Sequence, residues 1–144
     1  MAAQPMMADG QFKLSAQLDD RVRALCAAPP RQGDQAHPIN AYLGALAGMP
    51  IRIGDFSRSL GLAFDAGPVL GECRLSFPGT LRTGRSYGVR VQVLDLMRKP
   101  SRRFGQADHL TLAITLMDGD GPASILQFKM ITPVMEHDQG PDPA

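Results

Sequence analysis

The chain has 144 residues, of which 44% are hydrophobic and 20% charged, and 15 Lys plus Arg against 14 Asp plus Glu leave a net charge of +1. That length suits one domain, and a near-zero charge removes the overall field that would draw a nucleic acid or an anionic membrane surface. Every apolar run falls well short of the about 20 residues of a membrane span, while twelve prolines and fifteen glycines point to short elements joined by many turns.

Residues 1–10 are small, polar and Met-rich and read as a mobile tail. They lack the basic start and apolar core of a secretion signal, so a cytoplasmic location is expected. The folded domain is expected over residues 11–135. Phe12 to Leu14 can form a short strand, and Ser15 then caps a helix over residues 16–28, with Asp19 and Asp20 near its positive end. Leu18, Val22 and Leu25 recur on one helical face, and Pro29-Pro30 must stop the helix. After the polar loop 31–37, Pro38 suits the first position of a second helix over residues 39–49, which Pro50 ends. A third segment, residues 55–64, begins at Gly54 or Asp55 and places Phe56, Leu60 and Phe64 at i, i+4 and i+8, one apolar helical face. Gly61 weakens it as an isolated helix, so packing on a sheet has to hold it.

Four strands follow. Cys73, Leu75 and Phe77 alternate with Glu72, Arg74 and Ser76 until Pro78-Gly79 closes the first. Tyr87, Val89, Val91 and Val93 alternate until the phase slips around Leu94, where a bulge fits. Leu110, Leu112, Ile114 and Leu116 mark the third strand, Asp118-Gly119-Asp120-Gly121 a hairpin, and Leu126, Phe128 and Met130 the last. One apolar sheet face needs an apolar helix over it, and the third helical segment is the expected cover. The class is therefore α+β with one antiparallel sheet, and residues 136–144 read as a second mobile tail.

Cys26 and Cys73 stand in no CxxC or Cys/His spacing, so no metal and no other cofactor is expected. Both read as reduced, packed thiols. His109 and His137 have no partner in the sequence and read as structural or solvent-facing.

Three features converge: the order of elements over residues 12–133, the run CRLSFPGTLRTGRSY at 73–87, and PIRIG at 50–54. Together they resemble the hotdog fold, a curved antiparallel β-sheet wrapped around a central α-helix, and within it the MaoC-like family of (R)-specific enoyl-CoA hydratases and 3-hydroxyacyl thioester dehydratases. Catalytic members are similar to one another in a loop Gly-Asp-x-Asn-Pro-x-His and in a Pro-Ile-Ala-His-Gly that opens the central helix. The resemblance implies addition or removal of water across the C2–C3 bond of an acyl thioester. In that chemistry a carboxylate and an imidazole reach one water, and backbone N–H groups at the helix start hold the enolate oxygen.

Carried onto this chain, Gly33-Asp34 matches the loop's first pair and makes Asp34 the implied base. The following residues, QAHPIN, depart from the motif: Asn40 stands where the family histidine follows proline, and His37 comes three residues after Asp34 instead of five. Pro38 biases His37 toward an extended conformation, from which it could act as the adapted acid or serve only as a polar residue before the helix. Ile53 replaces the second histidine. Gly54 remains, either as oxyanion donor or as the residue for a tight turn. Asn40, Ile53, Phe56 and Leu60 are the implied substrate-lining residues. Arg98, Lys99, Arg102 and Arg103 could pair with the phosphates of coenzyme A or form a solvated hairpin tip.

Three functions stay open. The first is a hydro-lyase using Asp34, His37 and Gly54. The second is a non-catalytic hotdog subunit completing a dimer with a motif-bearing chain. The third is a hotdog thioesterase in which Asp34 or another carboxylate activates water. The partners implied are an acyl-CoA or acyl carrier protein thioester, as substrate rather than cofactor, and a second hotdog chain in a homodimer or heterodimer. No nucleic acid and no membrane is expected.

Overall fold

A computed structural model describes residues 9–119 and 121–135. In chain order it contains β1 (Gly10–Leu14), α1 (Ala16–Leu25), α2 (Asn40–Ala47), α3 (Ile53–Ser59), a 3-10 turn (Phe64–Ala66), β2 (Val69–Ser76), β3 (Arg85–Ser101), β4 (Gly105–Asp118) and β5 (Gly121–Pro133). The strands form one antiparallel sheet in the order β1-β3-β4-β5-β2. Gly10, expected in the tail, is the first residue of β1. The rest of both tails lies outside the described residues, apart from Asp9.

The alternation in β3, β4 and β5 is realised as the sequence suggests. Leu110, Leu112, Ile114 and Leu116 are fully buried on the inner face, beside Val89, Val91, Leu126 and Phe128 from the flanking strands. The phase slip near Leu94 is a register shift between Val93 and Asp95, and Asp118 pairs with Gly121 across the expected hairpin. Further shifts fall at Leu70/Glu72 and Leu116/Met117. Each such irregularity bends its strand and increases its twist.

The helices differ more from expectation. Ser15 caps α1 by accepting the Leu18 N–H at 3.0 Å, but the helix ends at Leu25, and Ala27 adopts a left-handed φ of 54° before the prolines are reached. Leu25 is therefore 87% exposed instead of sharing a buried face with Val22. The third segment is not one helix over residues 55–64. Gly61, at φ +82°, closes α3: its N–H reaches the Arg58 carbonyl at 2.9 Å and the Leu62 N–H reaches Ser57 at 3.1 Å. This is the pair of bonds of a Schellman ending, which needs a residue comfortable with positive φ. Phe56 and Phe64 consequently belong to different elements, although both contact the core.

The cover over the sheet is also shared. α2 approaches nearest: a Cβ on Gly44 would stand 2.5 Å from the Phe12 ring, and one on Gly48 would press on Val89 and the Gln11 carbonyl. Ala41 and Ala45 are buried between them. The small residues of α2 bring its backbone to the sheet, and Phe56, Ile53 and Leu60 of the α3 region fill the remaining core.

β2, expected to be half-buried, is an exposed edge in which Cys73 faces solvent, as does Phe77 just beyond it. Cys26 is exposed too. The expected packed thiols are both at the surface, Cys26 because α1 stops early and Cys73 because β2 is an edge strand of the sheet among the described residues.

Candidate functional site

The loop after α1 is held from both sides. Towards the sheet, the Ala36 N–H bonds to the Leu81 carbonyl at 2.9 Å and the Thr83 N–H to the Asp34 carbonyl at 2.8 Å, with Gln35 opposite Arg82 in an isolated bridge. The turn at 81–83 is in turn fixed by Tyr87, a fully buried residue whose phenol oxygen accepts the Arg82 N–H at 2.7 Å and donates to the Arg82 carbonyl at 3.3 Å. Burial pushes the Tyr87 hydroxyl above its ordinary pKa, against the bond from Arg82, so it stays protonated and can donate. Replacing Tyr87 with Phe leaves the Arg82 N–H without its acceptor and is expected to cost about 1–2 kcal/mol. Urea unfolding checks the loss, and faster amide exchange at Arg82 and Thr83 locates it.

Towards the helices, the loop hangs on Asp19. This residue is fully buried. One carboxylate oxygen accepts the His37 N–H at 2.8 Å and the Asn40 amide at 2.9 Å; the other accepts Arg23 Nε at 2.7 Å and Arg31 Nη1 at 3.1 Å. Burial alone pushes the Asp19 carboxyl up, but the bonds from Arg23, His37 and Arg31 outweigh it and hold the pKa below 3.8. The two arginines extend the network to the loop backbone, Arg23 to the carbonyls of Pro29 and Gln35 at 3.0 Å each, and Arg31 to Gly33 at 3.1 Å. The sequence marks Asp19 only as an acid near a helix start. The further signal was Arg23 four residues on, where a helix places its side chain next to Asp19.

Within this frame the implied site residues have separate tasks. Asp34 forms an ion pair with Arg82 at 2.6 Å. His37 accepts the Ile39 N–H on Nδ1 at 3.1 Å, which places its proton on Nε2. The imidazole thereby satisfies one of the free N–H groups ahead of α2, whose capping residue Ile39 offers no side-chain acceptor. Asn40 is fully buried, and its amide donates to Asp19 and to the His37 carbonyl at 3.0 Å. Its Oδ1 has no partner among the described residues. Asp34 and His37 thus share a loop but have different partners, Arg82 for Asp34 and the Ile39 N–H for His37 Nδ1.

Ile53 and Gly54 open α3. Gly54 lies inside the helix with an ordinary φ, so it is not the left-handed turn residue. What it permits is close packing: a Cβ there would meet the Phe64 ring at 3.0 Å and Arg58 Nη1 at 3.3 Å. A groove of about 530 Å³ between α2 and α3 is lined by Leu46, Met49, Pro50, Ile51, Arg52 and Asp55. Phe56 and Leu60, implied as substrate-lining, turn to the core instead.

The four cations divide as well. Arg98 pairs across the ladder with Asp108 through two bonds of 2.8 and 3.1 Å. Lys99, Arg102 and Arg103 are exposed around the β3–β4 hairpin, with Arg103 over the Phe104 ring at 5.5 Å. Asp34 neighbours the turn that leads into β3, whereas these cations stand at its far end. A strand of 17 residues separates them by roughly 50 Å along the chain path, so within one chain they are not parts of one site. Among the described residues no group of three or more His, Cys, Asp or Glu is placed to hold a metal, and no helix is long and apolar enough to cross a membrane.

The fold has clear counterparts among solved structures. A chain of the ChsH1–ChsH2 complex from Mycobacterium tuberculosis superposes with a TM-score of 0.70 at 13% identity, covering 96% of this chain and 91% of that one. A chain of the C-terminally truncated HadBC 3R-hydroxyacyl-ACP dehydratase complex from the same organism gives 0.64 at 14% identity, covering 90% and 98%. A thioesterase from Thermus thermophilus complexed with coenzyme A and zinc gives 0.59 at 9% identity, covering 96% and 92%. No protein-family sequence model and no curated protein sequence matches the chain. The structural likenesses establish that the chain is a hotdog domain.

Proposed function

We propose that this chain is a MaoC-like hotdog subunit, acting in the cytoplasm, that supports a motif-bearing partner in hydrating or dehydrating an acyl-CoA or acyl carrier protein thioester, without transferring protons itself. The observation that carries this reading is the separate commitment of Asp34 to Arg82 and of His37 to the start of α2. General acid–base chemistry requires both groups on one water, and Ile53 supplies no second imidazole. The thioester class rests on the resemblance of the loop and of PIRIG to the family motifs. It is supported by neighbours described as a 3R-hydroxyacyl-ACP dehydratase and as complexed with coenzyme A.

A partner chain is supported by the open β2 edge, where Leu70 is 53% exposed, and by Phe77 just beyond its end, 42% exposed. An unpaired apolar edge invites strand pairing, and two of the neighbours are described as two-component complexes. Mixing the chain with a hotdog chain that is encoded beside it and bears Gly-Asp-x-Asn-Pro-x-His should give a one-to-one complex. That complex should hydrate a medium-chain trans-2-enoyl-CoA faster than the partner alone. Leu70→Glu with Phe77→Glu should abolish the association while leaving the circular dichroism spectrum unchanged. Failure to associate, or release of free thiol from a saturated acyl-CoA by this chain alone, contradicts the proposal.

A further inference from the structure

A second histidine, unrelated to the Asp34 loop, sits where a charge would be poorly tolerated. His109 is only 9% exposed, and neither ring nitrogen has a hydrogen-bond partner among the described residues. Its side chain is on the face of β4 opposite the core residue Leu110, between Met97 of β3 and Ile131 of β5, its partners in the two ladders. Lys99, paired with Ala107, and Lys129, paired with Thr111, stand one step away on either diagonal of the same face, within reach of a long side chain. Of the acids nearby, Asp108 points to the other face and is bonded to Arg98, and Glu72 lies opposite Lys129 on the edge strand and pairs with Arg74. Asp95, opposite Thr111, stands on the other diagonal of the His109 face but makes no hydrogen bond to the ring.

We propose that His109 is an acid-sensitive latch in the distal half of the sheet, and that its protonation between Lys99 and Lys129 loosens the β3–β4 hairpin from β5. In the neutral form the ring is an apolar spacer between Met97 and Ile131. The imidazolium would be a further cation beside Lys99 and Lys129, with two N–H donors and no acceptor within hydrogen-bond distance.

Burial, and then Lys99 and Lys129, hold the folded-state pKa below 6.5, against the weaker opposing pull of Asp108. The unfolded chain therefore binds the proton more readily. The contribution of the neutral ring to stability is complete above the unfolded value and is lost as pH falls through the folded one. The segment that opens, Leu94 to Ala107, carries the exposed cations Lys99, Arg102 and Arg103, so acidification would alter how that tip is presented.

The test is amide hydrogen exchange over residues 105–111 and 129–133, the β4–β5 ladder around His109, corrected for intrinsic rates, between about pH 7.5 and about pH 5. The wild-type chain should show a several-fold rise in opening there at the acid end, and His109→Leu should show none. Lys129→Met, which leaves the ring in place, should make the rise smaller and complete it at higher pH, because the folded-state proton then meets one cation fewer. Equal acid responses in the wild type and in His109→Leu would overturn the proposal. So would an NMR titration placing the His109 midpoint at or above that of an unfolded-chain histidine.

Discussion

Asp19→Ala should lower the stability of the chain by at least about 3 kcal/mol, the range seen when one partner of a buried ion pair is removed. For a domain of this size that corresponds to a fall of about 10 °C in the thermal midpoint. The substitution leaves two guanidinium groups, the His37 N–H and the Asn40 amide without their shared acceptor. The pH dependence carries the same signature. Asp19 titrates below 3.8 in the folded chain because the bonds from Arg23, His37 and Arg31 outweigh the opposing effect of burial. Its stabilisation is therefore present above the unfolded-state pKa and disappears as pH falls through the lowered one. Acid unfolding of Asp19→Ala should accordingly be flatter than that of the wild type. A loss below about 1 kcal/mol, the worth of an exposed pair, would mean that Asp19 does not organise the loop.

Gly10→Ala should be nearly as damaging through packing alone. A Cβ at residue 10 collides with the Gly48 carbonyl and crowds Pro50. Backbone cannot swing aside like the end of a side chain, so the effect belongs at the upper end of overpacking, about 3 kcal/mol. The internal control is Gly88→Ala, where the added methyl meets only Met117 at 3.7 Å. That change should be neutral or mildly stabilising, because Ala loses less backbone freedom than Gly on folding. Urea midpoints for the two variants separate a close helix–sheet contact from a general sensitivity of strand glycines.

These two sites also mark where the sequence was legible and where it was not. The inner faces of β3, β4 and β5 could be read because a period of two records burial directly, and the slip at Leu94 recorded a real register shift. The cover over the sheet left no such trace. α2 reaches β1 and β3 through Gly44 and Gly48, and a contact made by the absence of a side chain has no hydrophobic period. The spacing of Phe56, Leu60 and Phe64 suggested one long helix because the left-handed turn at Gly61 interrupts it without disturbing the count.

At the candidate site, Gly33-Asp34 was recognisable as a motif fragment, but what Asp34 meets was not. Arg82 is distant in sequence and arrives only because the loop bridges the turn that Tyr87 pins. Likewise His37 could be placed ahead of a helix, yet its task of accepting the Ile39 N–H depends on Asp19 holding its own backbone.

Asp34 and His37 are expected to organise this chain without performing chemistry in it. The most direct measurement is the hydration of a medium-chain trans-2-enoyl-CoA by the purified chain, wild type beside Asp34→Asn. Neither should exceed the rate without protein. Turnover by the wild type that disappears in Asp34→Asn would contradict it and make the chain a hydratase in its own right.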